Sequence, residues 1–152
     1  MDVDGWALYD NKLVVNFPSL GLWQYDGDWT KIGSNDTLEA MIGVGSTLYE
    51  DFGTSGVWQY NASGWHKISD KNPSSLATYD GKLVASFPTC GIYEYHKSWT
   101  LISSDDTAEI MCGVASTLYV DLGSAGLYGY EVSRWNRLTT EDCEDMIAAD
   151  LP

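Results

Sequence analysis

Asn16, Asp51, Ser86 and Asp121 stand 35 residues apart in this 152-residue chain, each inside the same kind of β-rich stretch. Two carboxylates, an amide and a hydroxyl are oxygen ligands of the type Ca²⁺ accepts, and a symmetric fold would gather them in a ring. Ca²⁺ takes roughly 6–8 oxygens and more charge than this set supplies, so satisfaction of backbone donors between blades, or exposure to solvent, is the better account. No metal or other cofactor is expected. His66 and His96 are the only histidines. Neither lies beside a Ser or Cys in a nucleophile motif such as Gly-x-Ser-x-Gly, and Thr30, Thr100 and Asn136 stand where His66 stands in the other copies. With no base and nucleophile to pair, the chain reads as a non-enzyme.

The aromatic residues form a richer pattern. Gly21, Gly56, Gly91 and Gly126 each open one phrase, from Gly21-Leu-Trp-Gln-Tyr25 to Gly126-Leu-Tyr-Gly-Tyr130. The second residue after each glycine is Trp23, Trp58, Tyr93 or Tyr128, and the fourth is Tyr25, Tyr60, Tyr95 or Tyr130. Trp29, Trp65, Trp99 and Trp135 follow after a turn. Aromatics that recur in every copy are first of all core, because they bury large area. An edge of the same belt has the chemistry to stack on the apolar C–H face of a sugar ring, with Gln24, Gln59 and Glu94 offering hydrogen bonds to its hydroxyls. Trp23, Trp58, Tyr93 and Tyr128 with those three polar residues are the candidate ligand-binding set. Strand alternation places an aromatic and its Gln or Glu neighbour on opposite faces, so a site needs the aromatic of one sheet and the polar group of the next.

Such a belt must be positioned by repeated sheets. Four units of about 35 residues, near 6–32, 41–68, 76–102 and 111–138, each read as four short strands. Asp10-Asn11, Gly45-Ser46, Asp80-Gly81 and Ala115-Ser116 separate the first two strands of each unit, and Asp-Gly and its relatives are hairpin turns. A 70-residue period lies above the first: residues 35–56 and 105–126 agree at 13 of 22 positions. In the third strand both faces are apolar, with Leu22 on one side and Trp23 and Tyr25 on the other, as in a sheet covered by neighbours on both sides. The expected fold class is all-β, a single small β-propeller of four four-stranded repeats. Residues 141–152 are an extra copy of the first strand or a cap.

The run from Met41-Ile-Gly-Val-Gly45 through Val57-Trp-Gln-Tyr60 to Trp65-His-Lys-Ile68 resembles tectonin-type propeller repeats and, more loosely, the tachylectin-like lectins. The resemblance extends over nearly the whole chain. It implies a multivalent carbohydrate-binding, lectin-like propeller; the alternative is a structural or protein-interaction propeller with no small-molecule ligand. The partner is thus a glycan or a protein surface.

Bulk composition narrows the partners further. The net charge of −14 repels phosphate backbones and anionic headgroups, so neither nucleic acid nor a membrane is expected as a partner. No apolar run approaches the roughly 20 residues of a membrane span. The first residues show neither part of a signal peptide, so the expectation is a soluble chain, cytoplasmic by default. Cys90, Cys112 and Cys143 show no metal spacing and are expected to be reduced.

Overall fold

In the computed structural model, which describes residues 5–34 and 37–147, each repeat forms one antiparallel four-stranded sheet with its strands in chain order. Sheet I holds β1 (Gly5–Tyr9), β2 (Lys12–Phe17), β3 (Gly21–Tyr25) and β4 (Trp29–Gly33). Sheet II holds β5 (Ala40–Val44), β6 (Thr47–Asp51), β7 (Val57–Asn61) and β8 (Gly64–Ser69). Sheet III holds β9 (Ser75–Tyr79), β10 (Lys82–Phe87), β11 (Gly91–Tyr95) and β12 (Trp99–Ser103). Sheet IV holds β13 (Ile110–Val114), β14 (Thr117–Asp121), β15 (Leu127–Glu131) and β16 (Arg134–Arg137). The helical pieces among the described residues are two 3₁₀ turns, Gly53–Ser55 and Gly123–Ala125.

Local chemistry fixes these boundaries. Asp10-Asn11 and Asp80-Gly81 take positive φ at both positions, as two-residue hairpins of right-twisted strands require. Tyr9 then faces Lys12, and Tyr79 faces Lys82. The glycine that opens each repeat phrase is needed twice over. Gly21, Gly56, Gly91 and Gly126 all have positive φ, and a Cβ on any of them would lie 2.1–2.4 Å from a carbonyl oxygen at or just past the end of the fourth strand. No other residue type fits there.

The chain divides into two compact units, Met1–Pro73 and Ser74–Pro152. In unit 1, Ala7, Tyr9, Val14 and Leu22 of sheet I pack with Leu48 and Phe52 of sheet II. In unit 2, Ala77, Tyr79, Val84 and Ile92 of sheet III pack with Met111, Leu118, Val120 and Tyr130 of sheet IV. A fully buried aliphatic such as Leu22 or Leu48 contributes about 1.5–3 kcal/mol. The first strands of the paired sheets touch closely: a Cβ on Gly43 would lie 1.8 Å from the Leu8 carbonyl oxygen, and one on Gly113 would lie 1.6 Å from that of Thr78. Sheets I and III carry Leu8 and Thr78 at the corresponding place, so the close approach is built into one face of sheets II and IV. Hydrogen bonds seal each pairing. Trp65 Nε1 donates to the Ile32 carbonyl at 2.7 Å, and Trp135 Nε1 to that of Ile102 at 2.8 Å. At the hairpin ends Asp10 N–H donates to the Gly45 carbonyl and Asp80 N–H to that of Ala115.

Residues 141–147 carry no strand, and 148–152, the rest of the expected extra copy or cap, lie outside the described residues. No disulfide joins Cys90, Cys112 and Cys143. Among the described residues no helix is long and apolar enough to cross a membrane.

Candidate functional site

Alternation along β3 turns Leu22 and Gln24 toward sheet II and leaves Trp23 and Tyr25 on the opposite face. Along β7 it turns Trp58 and Tyr60 toward sheet I, where both pack against the unit 1 core. Gln59 points away from that contact and lies opposite His66 in the register. The amide of one sheet therefore meets the aromatic of the next, with Gln24 and Tyr60 as the pair that results.

They line one niche of about 250 Å³ between sheets I and II, together with Tyr9, Asp10, Lys12, Ser46 and Asn61. The Tyr9 hydroxyl donates to Gln24 Oε1 at 2.8 Å, and its ring meets that of Tyr60 edge-on at 6.3 Å. The Lys12 ammonium sits 2.8 Å from the Asp10 carboxylate and also over the Tyr9 ring. Burial pushes the Tyr9 hydroxyl pKa up, against the opposing pull of Lys12, so Tyr9 stays a neutral donor. The niche thus offers planar amides, an ion pair and tyrosine ring edges around an open volume. Those groups can bind a neutral polyol by hydrogen bonds.

Unit 2 repeats the plan with different charges. The Tyr79 hydroxyl donates to Glu94 Oε2, which also accepts from the Lys82 ammonium at 3.2 Å. Tyr79 meets Tyr130 edge-on at 6.0 Å, and Ser116 Oγ lies 3.3 Å from Glu131 Oε1. Burial first, and then the Glu94 carboxylate, raises the Tyr79 hydroxyl pKa strongly. Glu94 and Glu131 thus replace Gln24 and Asn61, and Lys82 turns to Glu94 where Lys12 turns to Asp10.

The other candidate aromatics are placed differently. Trp58 lies in a second groove of unit 1, of about 330 Å³, floored by Leu22, Ile32, Phe52 and Trp65 and rimmed by Ser34 and Ser55. Its Nε1 donates to the Ser55 carbonyl at 3.2 Å, and the Lys67 ammonium stands 5.9 Å from the ring. Trp23 makes the same two contacts, with Leu20 and Lys31, on the far face of sheet I. Tyr128 packs against the unit 2 core, and Tyr93 meets Phe87 edge-on at 5.9 Å. Trp23 and Gln59 do not join the unit 1 niche, and Tyr93 does not join the Tyr79–Glu94–Lys82 cluster of unit 2. Tyr9, Lys12 and Asn61 do line the unit 1 niche, and sequence reasoning passed over them. A signal was present, since Tyr9-Asp10-x-Lys12 returns as Tyr79-Asp80-x-Lys82.

The polar set of the second strands is buried throughout: Asn16 and Asp51 in unit 1, Ser86 and Asp121 in unit 2. Asp51 Oδ1 accepts the Gly53 N–H at 2.9 Å, and burial raises its pKa to about 6.

No protein-family model matches the chain, and no curated protein matches it in sequence. Solved structures do match in fold. PorZ, described as an essential bacterial surface component of the type-IX secretion system of Porphyromonas gingivalis, aligns over 94% of this chain and 23% of its own, with a TM-score of 0.71 and 14% identity. Human WBSCR16 aligns over 86% of this chain and 48% of its own, with a TM-score of 0.66 and 7% identity. An ancestral GH74 enzyme aligns over 92% of this chain and 24% of its own, with a TM-score of 0.62 and 14% identity. PorZ and the GH74 enzyme are propeller-like. The four sheets of this chain are propeller blades. The chain spans less than half the length of each of these neighbours. At such identities the likeness speaks for the fold alone.

Proposed function

We propose that the chain is a non-catalytic carbohydrate-binding propeller, akin to the tectonin-type lectins its repeats resemble, with the unit 1 niche as its primary site. The observation that carries the reading is the meeting of Gln24 from sheet I with Tyr60 and Asn61 from sheet II around an open volume. Planar amides with an aromatic edge suit a sugar ring, which presents hydroxyls around its rim and C–H groups on its faces. The 70-residue repeat places the equivalent residues Tyr79, Lys82, Glu94 and Glu131 in unit 2 as a more acidic counterpart, and two sites on one chain would raise avidity toward a multivalent glycan.

The test is a glycan array followed by titration calorimetry on the best binder. Gln24→Ala and Asn61→Ala are expected to weaken binding by about 1–3 kcal/mol, in line with the loss of a hydrogen bond to a sugar hydroxyl, while melting changes little. If no glycan binds the wild type, or if both variants bind as it does, the lectin reading fails. A second reading, a protein-interaction propeller, is favoured by one face of sheet I, where Trp6, Leu8 and Trp29 are 65%, 61% and 48% exposed. Pull-down by the wild type but not by Trp6→Ser, with no glycan bound by either, would select it.

A further inference from the structure

We propose that Glu109, Asp121 and Asp142 form a binding site in unit 2 for one divalent cation of the Ca²⁺ type. One carboxylate oxygen from each lies within 4.8 Å of the others. Ca²⁺ holds oxygens at about 2.3–2.6 Å, so ligands on opposite sides of one ion stand about 4.6–5.2 Å apart, and the three fit around a single centre.

The fold places them deliberately. Asp121 ends β14 and is fully buried, and neither of its carboxylate oxygens accepts a hydrogen bond among the described residues. The Cys143 thiol stands beside it and is at most a weak, neutral donor, which leaves the carboxylate charge without a counterion. A buried carboxylate without donors is costly unless a cation or a proton accompanies it. The Glu109 backbone N–H donates to the Asp121 carbonyl at 2.9 Å, which lays the entry to β13 along the end of β14. Its side chain crosses Gly123, where a Cβ would come within 2.5 Å of Glu109 Oε1. Asp142 arrives from the segment after β16. Among the described residues no ion pair engages any of the three. Glu109 and Asp142 are exposed, which leaves one side open for the water ligands that complete the shell of Ca²⁺.

Unit 1 provides the internal control. Seventy residues earlier stand Glu39, Asp51 and Asn72. There the buried carboxylate has a donor, the Gly53 N–H, and the third place holds an amide with no charge. Only the unit 2 set is both trianionic and short of donors.

The experiment is calorimetric titration of the EDTA-stripped chain with CaCl₂ in about 0.1 M KCl, which screens diffuse attraction to the acidic surface. One ion per chain is expected, with a dissociation constant on the order of 10⁻⁴ M. Asp142→Asn and Glu109→Gln, both exposed and so compatible with folding, should each weaken uptake at least about tenfold, whereas Glu39→Gln should leave it unchanged. No saturable uptake by roughly 10 mM Ca²⁺ would overturn the proposal, as would equal uptake in the two unit 2 variants or an equal loss in Glu39→Gln. Glycan binding is measured at the separate niche of unit 1, so either result leaves that reading standing or falling on its own.

Discussion

Glu50 and Val120 occupy the same place in the two units, and the difference between them shows what the shared architecture tolerates. Both side chains are fully buried in the second strand of their sheets. Val120 joins an apolar core, whereas neither carboxylate oxygen of Glu50 has a hydrogen-bond partner among the described residues. Burial raises the Glu50 pKa from 4.5 to about 8. The folded chain therefore keeps a proton there that the unfolded chain releases above pH 4.5. Bound protons favour the folded state, so this group's contribution falls as pH rises from about 4.5 to about 8, and the full cost stands above that window. Val120 contributes no such slope. One fold thus holds a titratable and a non-titratable version of the same contact.

Three perturbations would break or sharpen that comparison. The largest effect is expected where the two units agree. Gly43→Ala and Gly113→Ala each drive a methyl into a backbone carbonyl oxygen that cannot move aside. Each should cost more than the roughly 1–3 kcal/mol usual for overpacking and should part the two sheets of its own unit, seen as faster hydrogen exchange confined to that unit. Equal exchange in both units would contradict this. Second in size is Glu50→Val, which copies unit 2 into unit 1. It should stabilise unit 1 by about 2–4 kcal/mol at pH 8, and by little at pH 4.5. Urea unfolding across this range measures the flattening, and an unchanged slope would show that Glu50 is not the titrating group. Third is Trp65→Phe, which removes the donor to the Ile32 carbonyl and should cost about 1–2 kcal/mol. Trp29→Phe, at a side chain 48% exposed, should stay within about 0.5 kcal/mol.

Most of the fold was legible because its signals are local and occur four times. The repeat glycines mark the third strands, and each is confirmed by a positive φ and a carbonyl in its path. Asp10-Asn11 and Asp80-Gly81 mark hairpins by turn chemistry alone. The candidate site was only half legible. Alternation correctly separates Gln24 from Trp23, but it does not say which face of a sheet meets which neighbour. That choice rests on Gly43 and Gly113, whose role appears only when a second backbone lies within reach. Hence Tyr60, read first as core, lines the niche beside Gln24, while Trp23 stands on the far face. Likewise Asp121 was grouped with its 35-residue equivalents, although its neighbours in space lie outside that set: Glu109 repeats Glu39 at the 70-residue period, and Asp142 stands where unit 1 has Asn72.

The glycine at the close contact of each pair also bears on how the chain is made. Every residue of the unit 1 core, from Ala7 to Phe52, together with Trp65 that clamps its edge, lies before Pro73. During synthesis from the N-terminus every residue that these contacts need has been added to the chain before the first strand of sheet III is translated. The pair of sheets, and not the single sheet or the whole chain, is then the smallest length of nascent polypeptide that can hide an apolar face.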